Sequence, residues 1–193
     1  MKLPQVTIAC IDSINYQEAT NAFHKSIEKI EFGEALFFSD IELEVKAKSI
    51  TIPKIRSTEE YSHFVFKELN KYINTDYVLI IQYDGYVLNP ECWEESFLDY
   101  DYIGARWSYR DSFNVGNGGF SLRSKELLEE LCNYKYQKIH PEDHHICRTY
   151  GKALKDKGFK FAPEEVSERF SFETRRSRCK TFGFHGWRKL VIK

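Results

Sequence analysis

The sequence predicts a single α/β domain built on a parallel sheet with helices packed on its faces, and three observations predict it. Apolar β-rich runs and amphipathic helical stretches alternate through the first half of the chain, in the strand–helix–strand order of parallel sheets. Carboxylates follow directly on the apolar runs at Asp12, Asp40 and Asp84, at the carboxyl ends where such sheets bind ligands. A chain of 193 residues, 42% hydrophobic and 30% charged, is long enough for one core and short for two.

Taken in order, Val6-Thr7-Ile8-Ala9-Cys10-Ile11 is an apolar run ending at Asp12-Ser13, the pattern of a fully buried strand. Tyr16, Ala19, Phe23, Ile27 and Ile30 recur at spacings of three and four, which gives the next stretch one apolar helical face. Ala35-Leu36-Phe37-Phe38 reads as a second strand closing on Ser39-Asp40, and residues 42–52 are β-prone without a clear boundary. Ser57-Thr58-Glu59-Glu60 is a helix start, a hydroxyl cap followed by acids near the positive end of the dipole. Tyr61, Val65, Leu69, Tyr72 and Ile73 carry that helix forward. Tyr77-Val78-Leu79-Ile80-Ile81 is the strongest buried-strand signal and runs straight into Gln82-Tyr83-Asp84-Gly85.

The second half is less regular. Asp101-Tyr102-Ile103-Gly104-Ala105 is a short strand, and the glycine-dense Gly116-Asn117-Gly118-Gly119 leads into Phe120-Ser121-Leu122. A helix is expected over 125–133 with Leu127, Leu128 and Leu131 inward. Another is expected from Pro141-Glu142-Asp143, with Pro in its first turn, to about residue 157. Phe161-Ala162 and Arg169-Phe170-Ser171-Phe172 read as short strands.

The net charge of −1 conceals an asymmetry. Residues 174–193 hold Arg175, Arg176, Arg178, Lys180, Arg188, Lys189 and Lys193 and no acid, on a body of opposite sign. Such a tail is either a solvated surface or a contact for an anion such as a diphosphate or a lipid headgroup. Nucleic acid ranks behind these, because the basic stretch is short and the body acidic. The five cysteines lie far apart without a CxxC pair, which excludes a zinc ribbon and a redox motif. Their odd number, with no secretory signal read at the start, points to reduced thiols and a cytoplasmic protein. No apolar run reaches the roughly 18 residues of a membrane span, so any membrane contact is expected at the surface. Aromatic residues make up 16% of the chain, either as core or as a surface that stacks sugars and bases.

Four segments carry side chains suited to chemistry, each with a plain structural alternative. Asp84 is placed to ligate a hard divalent cation next to a diphosphate, or simply to form an Asp-Gly turn. Val115-Gly116-Asn117-Gly118-Gly119-Phe120-Ser121 allows φ > 0 and close backbone contact with a ligand, or is an elaborate turn; it matches neither a P-loop nor GxGxxG. Glu142-Asp143, after His140-Pro141, offers a general base at a helix start, or routine complementation of the helix dipole. His144 and His145 diverge too far around a helix to share a metal and read as surface or supporting residues. Thr181-Phe182-Gly183-Phe184-His185-Gly186-Trp187 presents a histidine for a metal or diphosphate, or an aromatic-anchored strand.

The order of these segments resembles one family. Gln-Tyr-Asp-Gly after a buried strand, then Tyr-Ile-Gly-Ala near Arg106-Trp107, Gly-Asn-Gly-Gly-Phe-Ser-Leu-Arg, Pro-Glu-Asp and Phe-Gly-Phe-His-Gly is similar to uncharacterised glycosyltransferase-like domains related to the GT-A fold. The likeness covers 76–187 well and the first 75 residues in outline. It implies a GT-A-like, mixed and mostly parallel central sheet, with 1–82 as nucleotide-binding half and 83–193 as donor-sugar and acceptor half carrying the basic tail. It implies Asp84 and His185 as ligands of Mn²⁺ or Mg²⁺, with Gln82 standing where the first acid of an Asp-x-Asp is usual and supplying no charge. Asn117, Gly118 and Gly119 then face the donor sugar, while Asp12 and Asp40 belong to the nucleotide crevice. Asp143, in preference to Glu142, is the base of an inverting transfer. The implied donor is a nucleotide sugar, a UDP-sugar as first choice, and the acceptor a glycan or glycolipid, as in lipopolysaccharide or capsule synthesis. A homodimer, or a partner or fused domain, would complete the acceptor site, and peripheral contact with the inner face of a membrane fits the basic tail. A nucleotidyltransferase ranks low, because Asp12-Ser13-Ile14-Asn15 has neither the glycine nor the base such a loop needs. A non-catalytic sugar- or lipid-binding module on a degenerate GT-A fold is the alternative that Gln82 favours.

Overall fold

The computed structural model of the chain describes residues 1–109, 111–135, 141–173, 177 and 179–186. The first apolar run forms β1 (Lys2–Ile11), whose alternate side chains enter opposite faces of the sheet: Ile8 and Cys10 on one, Ala9 and Ile11 on the other. A turn leads into α1 (Tyr16–Ile27), which buries Ala19 and Phe23 against the first face. Next come β2 (Glu31–Ser39) and β3 (Lys48–Thr51). Of the β-prone 42–52 stretch only Lys48–Thr51 pairs as a strand, alongside Leu36–Ser39 of β2.

The helix α2 (Thr58–Lys67) starts as its sequence dictates, with Ser57 Oγ accepting from Glu60 N at 3.2 Å. It buries Phe64 and Val65 on the second face and ends in a short 3₁₀ turn, Leu69–Tyr72. Then β4 (Tyr77–Ile81) enters the middle of the sheet, buried over its last four residues. The strand β5 (Gly85–Val87) leaves the main sheet, and β6 (Tyr102–Ile103) and β7 (Phe120–Ser124) return to it. The six-stranded order is β3-β2-β1-β4-β7-β6. Neighbours from β3 to β4 run parallel, and β7 is antiparallel to both β4 and β6. The sheet is therefore mixed and mostly parallel, flanked by helices.

Behind β7 lies α3 (Lys125–Leu131), burying Leu127, Leu128 and Leu131. The single helix expected from Pro141 is instead three pieces: α4 (Glu142–His144), a π-helical stretch His145–Thr149, and α5 (Gly151–Asp156). The cause is burial of three consecutive side chains, His145, Ile146 and Cys147, which one α-helical stripe does not bring inward together. His145 is thus core rather than surface, and Pro141 precedes the helix instead of occupying its first turn. Residues 164–170 form α6 (Glu164–Phe170), so the strand expected at 169–172 shrinks to β8 (Ser171–Phe172). Phe161 contributes only an isolated bridge to Tyr102. The strand β9 (Gly183–His185) lies between β5 and β8 in a second, three-stranded sheet. Phe97, Phe120, Phe170 and Phe182 pack together beneath it, so much of the aromatic content is core.

Among the described residues no helix is long and apolar enough to cross a membrane. All five cysteines are free. Six of the seven basic residues of the tail lie outside the described residues, and the seventh, Lys180, is exposed with Glu91 at 4.0 Å.

Candidate active site

The site begins where β4 ends. A turn with Gly85 N donating to Gln82 O carries the chain from β4 into β5 and leaves Gln82 and Asp84 beside β9. Pairing of Gly85 with His185 then fixes the imidazole over them. Gly85 has no Cβ because one there would lie 2.8 Å from Phe184 O and 3.2 Å from Gly119 O. Close approach of β9 and the glycine loop, more than turn geometry, is what requires glycine at that position.

His185 collects four polar neighbours. Its Nε2 donates to Gln82 Oε1 at 3.1 Å, and Asp84 Oδ1 lies 3.1 Å from the same nitrogen but off the N–H direction. On the other side of the ring, Nδ1 is 3.1 Å from Asn117 Nδ2 and 3.4 Å from Glu173 Oε1. The neutral ring accepts from Asn117; the charged ring turns an Nδ1–H to Glu173 instead. Burial disfavours the charge, but the contacts and charges of Asp84 and Glu173 outweigh it and raise the imidazole to about 9.

The glycine loop works differently from its sequence expectation. Its only residue at positive φ is Asn117, at 60°, and the three glycines are there for space. A Cβ on Gly119 would meet His185 Nε2 at 2.2 Å, and one on Gly118 would meet Glu142 Oε1 at 2.2 Å. Asn117 is held by Phe120 N donating to its Oδ1 at 3.4 Å.

The two adjacent acids part company. Glu142 is buried and accepts from Arg123 Nη2 at 2.8 Å, in an ion pair whose side chains are 4% and 0% exposed. Arg123 Nε also donates to Ser121 Oγ at 3.0 Å, and its guanidinium stands 5.0 Å from the Tyr102 ring centre. Asp143 keeps a different set: Gly118 N donates to Oδ2 at 2.8 Å and His144 N to Oδ1 at 2.6 Å. Burial first, and the charge of Glu142 second, push the Asp143 carboxyl up to about 6.

The predicted residues therefore fall into groups. Gln82, Asp84, Asn117 and His185 converge on one cluster, and Gly118 joins it to Asp143. Asp12 lines an adjacent cleft of about 250 Å³ together with Ser13, Asn15, Ser57, Tyr61, Gln82 and Tyr83. Its own carboxylate is engaged locally, accepting from Ile14 N at 2.7 Å and Asn15 N at 2.6 Å. Ser13 Oγ is buried in that cleft with no hydrogen-bond partner among the described residues, and the buried Tyr61 hydroxyl lies close to Gln82. Asp40 is not among the cleft's lining residues: it accepts from Tyr16 Oη at 2.8 Å and pairs with Lys54 at 3.3 Å. Sequence reading gave no role to Arg123, Ser121 or Glu173. The polar residues at alternate positions of Phe120-Ser121-Leu122-Arg123-Ser124 were the available signal for a buried pair.

The cluster fits a divalent cation in donor chemistry. Asp84 Oδ1 is buried and has no well-aligned hydrogen-bond donor among the described residues, and an amide oxygen and an imidazole nitrogen lie beside it. Among the described residues no group of three or more His, Cys, Asp or Glu side chains is placed to hold a metal, so substrate oxygens would have to complete the shell.

Comparison with solved structures gives the fold its context. The chain is similar to a glycosyltransferase involved in glycosylation of the major capsid of PBCV-1, with TM-score 0.56, 11% identity, and coverage of 93% of this chain and 91% of that one. It is similar to the mannosyltransferase PcManGT from Pyrobaculum calidifontis, solved in complex with GDP-Man and Mn²⁺, with TM-score 0.53, 11% identity, and coverage of 85% and 57%. It is also similar to the glycosyltransferase GlyE of Streptococcus pneumoniae TIGR4, with TM-score 0.55, 12% identity, and coverage of 93% and 53%. The chain thus spans little more than half the length of the latter two. At such identities the likeness establishes the fold, which is GT-A-like. No curated protein matches the chain in sequence. The family model described as "Protein of unknown function (DUF5672)" matches residues 44–185, most of the chain and every residue of the cluster around His185 and Asp143, so the protein belongs to the DUF5672 family.

Proposed function

We propose that the protein transfers a sugar from a nucleotide diphosphate donor to a hydroxyl of a glycan or glycolipid, with inversion at the anomeric carbon. One observation carries this reading: residues from four separate segments, 82–84, 117–118, 143 and 185, meet at one end of the sheet beside an open cleft. Residues 1–82 form the nucleotide-binding half, with the nucleoside in the cleft between Asp12 and Gln82, and residues 83–193 the donor-sugar and acceptor half. Asn117 offers an amide to the donor sugar at the edge formed by Gly118 and Gly119. The small chain leaves part of the acceptor site to a second subunit or domain.

Asp143 takes the acceptor proton as the acceptor oxygen bonds to the anomeric carbon and the bond to the diphosphate breaks. A free hydroxyl is a poor nucleophile, and a carboxylate raised to about 6 is a stronger base than an ordinary one while still ionised at neutral pH. Glu142, engaged by Arg123, is unsuited to that task. Asp84 and His185 would hold Mn²⁺ or Mg²⁺, which would supply charge neutralisation for the departing diphosphate, and Gln82 would hydrogen-bond the ribose or sugar of the donor. UDP-sugars are the first donors to test.

Thermal unfolding with UDP, GDP, CDP and dTDP, each with and without Mn²⁺, tests the donor site in wild type and Asp84→Ala. A diphosphate at about 100 times its Kd adds roughly 2.7 kcal/mol. We expect one nucleotide to stabilise wild type only with metal, and not to stabilise Asp84→Ala. No shift with any of them would defeat the reading. Gln82, in place of an acid, favours a second reading, a sugar- or lipid-binding module without turnover. Hydrolysis of the matching nucleotide sugar in the absence of acceptor would exclude it.

A further inference from the structure

Behind Asp143 lies a closed ring of buried polar contacts that the transfer reaction as described above does not use. Arg123 stands at its centre, on β7, completely buried between β4 and β6. In one direction Nε donates to Ser121 Oγ at 3.0 Å, and Ser121 Oγ donates to Gly118 O at 3.1 Å. In the other, Nη2 donates to Glu142 Oε1 at 2.8 Å, and Glu142 is the chain neighbour of Asp143. Gly118 N, donating to Asp143 Oδ2 at 2.8 Å, closes the ring. The Gly118 residue is thus gripped at both its carbonyl and its N–H. The ion pair also backs it sterically, since a Cβ would lie 2.2 Å from Glu142 Oε1 and 2.9 Å from Arg123 Nη2. Glu142 N donates to Ser62 Oγ at 3.2 Å, which ties the start of α4 to α2.

We propose that Arg123 is a positioning residue for Asp143, holding the carboxylate in one orientation through Ser121–Gly118 on one side and Glu142 on the other. The proposal rests on the reading of Asp143 as the base. Stability alone is a weak reason to bury such a pair, because apolar side chains of similar volume are often as stable or more so. Geometry supplies a better one. Only a planar fork reaches both Ser121 and Glu142 at once, and a lysine has a single nitrogen to offer. The groups acting on Asp143 are Glu142, Arg123 and the peptide N–H groups of Gly118 and His144, with Tyr102 and Cys147 within electrostatic reach.

The test uses the full chain in three forms: wild type, Arg123→Lys, and the charge-balanced double variant Arg123→Met with Glu142→Leu. NMR reads hydrogen exchange of the Gly118 amide, the Hα–Hβ couplings that report the Asp143 χ1 rotamer, and the titration of its carboxyl. Thermal unfolding reports the fold. We expect one χ1 rotamer and a protected Gly118 amide in wild type. In both variants the couplings should average and Gly118 exchange quicken by roughly tenfold or more. In Arg123→Lys the Asp143 midpoint should also fall by about one unit, as the carboxylate gains water. A folded double variant that keeps the wild-type couplings and exchange would overturn the proposal, and it decides the matter if Arg123→Lys does not fold. Failure of the base assignment looks different. Asp143→Asn would then turn over the nucleotide sugar matching the stabilising diphosphate at full rate, whatever the NMR of the Arg123 variants shows.

Discussion

Replacing Asp143 with asparagine is expected to strengthen the fold at neutral pH. The folded carboxyl titrates at about 6 against an ordinary 3.8, so the native state holds its proton more tightly than the unfolded chain does. Stability from this group is intact below about pH 3.8 and is lost as pH rises towards 6. The difference of about 2.2 units corresponds to about 3 kcal/mol lost by pH 7, at about 1.36 kcal/mol per unit. An asparagine never ionises and so escapes that loss. It does lose something else: both carboxylate oxygens accept backbone N–H groups, from Gly118 and His144, and an amide serves only one of them. That costs about 1 kcal/mol. The net gain at pH 7 is about 2 kcal/mol, or roughly 4–8 °C in Tm for a chain of this size. At pH 4 the gain should vanish or reverse slightly. Thermal unfolding of both proteins at the two pH values measures it, and taking the difference cancels every other titrating group. An asparagine variant less stable than wild type by the same amount at both pH values would refute the reasoning. Stabilisation joined to loss of turnover is the expected signature of a group kept for chemistry.

Other substitutions have expected outcomes of their own. Glu142→Ala leaves Arg123 charged, buried and unpaired, which should cost about 3–5 kcal/mol and lower Tm by roughly 6–20 °C. Gly119→Ala drives a methyl into the His185 ring, so a loss of about 1–3 kcal/mol should accompany loss of Mn²⁺-dependent stabilisation by nucleotide; an unchanged metal response would show that the ring is free to step aside. Ser124→Ala removes the cap of α3, at 3.1 Å to Leu127 N, and a 2.7 Å hydrogen bond to Asp101, for a loss of about 2 kcal/mol by denaturant unfolding.

The parts of the fold legible in the sequence are those whose burial is dictated locally. The runs at β1, β2 and β4 are almost wholly apolar because both faces of the sheet are covered, and of the carboxylates that follow them Asp12 lines the cleft and Asp84 joins the His185 cluster, while Asp40 does neither. The same local reading fails where partners are distant. The three residues of β5 are too few to show a period, and they are a strand only because β9 pairs with them. Phe170 and Phe172 alternate as in a strand, yet Pro163-Glu164-Glu165 starts a helix that buries Val166, Ser167 and Phe170. At the site, Asp84 follows from its strand. Locally the sequence offers Glu142-Asp143 and His185 as candidates beside plain structural alternatives, and only the order of motifs prefers Asp143 to Glu142, since nothing local separates two adjacent helix-start acids. Arg123 had no role assigned, because an arginine in a strand reads as solvent-facing until its buried carboxylate partner is seen.

The pairing of β9 with β5 also closes one of the longest loops of the chain. Gln82 and His185 touch across 103 positions of sequence and Asn117 and His185 across 68, while the central strands β1 and β4 already pair over a similar distance, Val6 with Tyr77. Closing such long loops is the slow, entropically costly part of folding. The cleft is lined by residues between Ile11 and Tyr83, whereas the cluster around His185 draws on segments from Gln82 to His185. We expect the amides of the three-residue β9 to exchange with solvent before those of β4 in the middle of the main sheet.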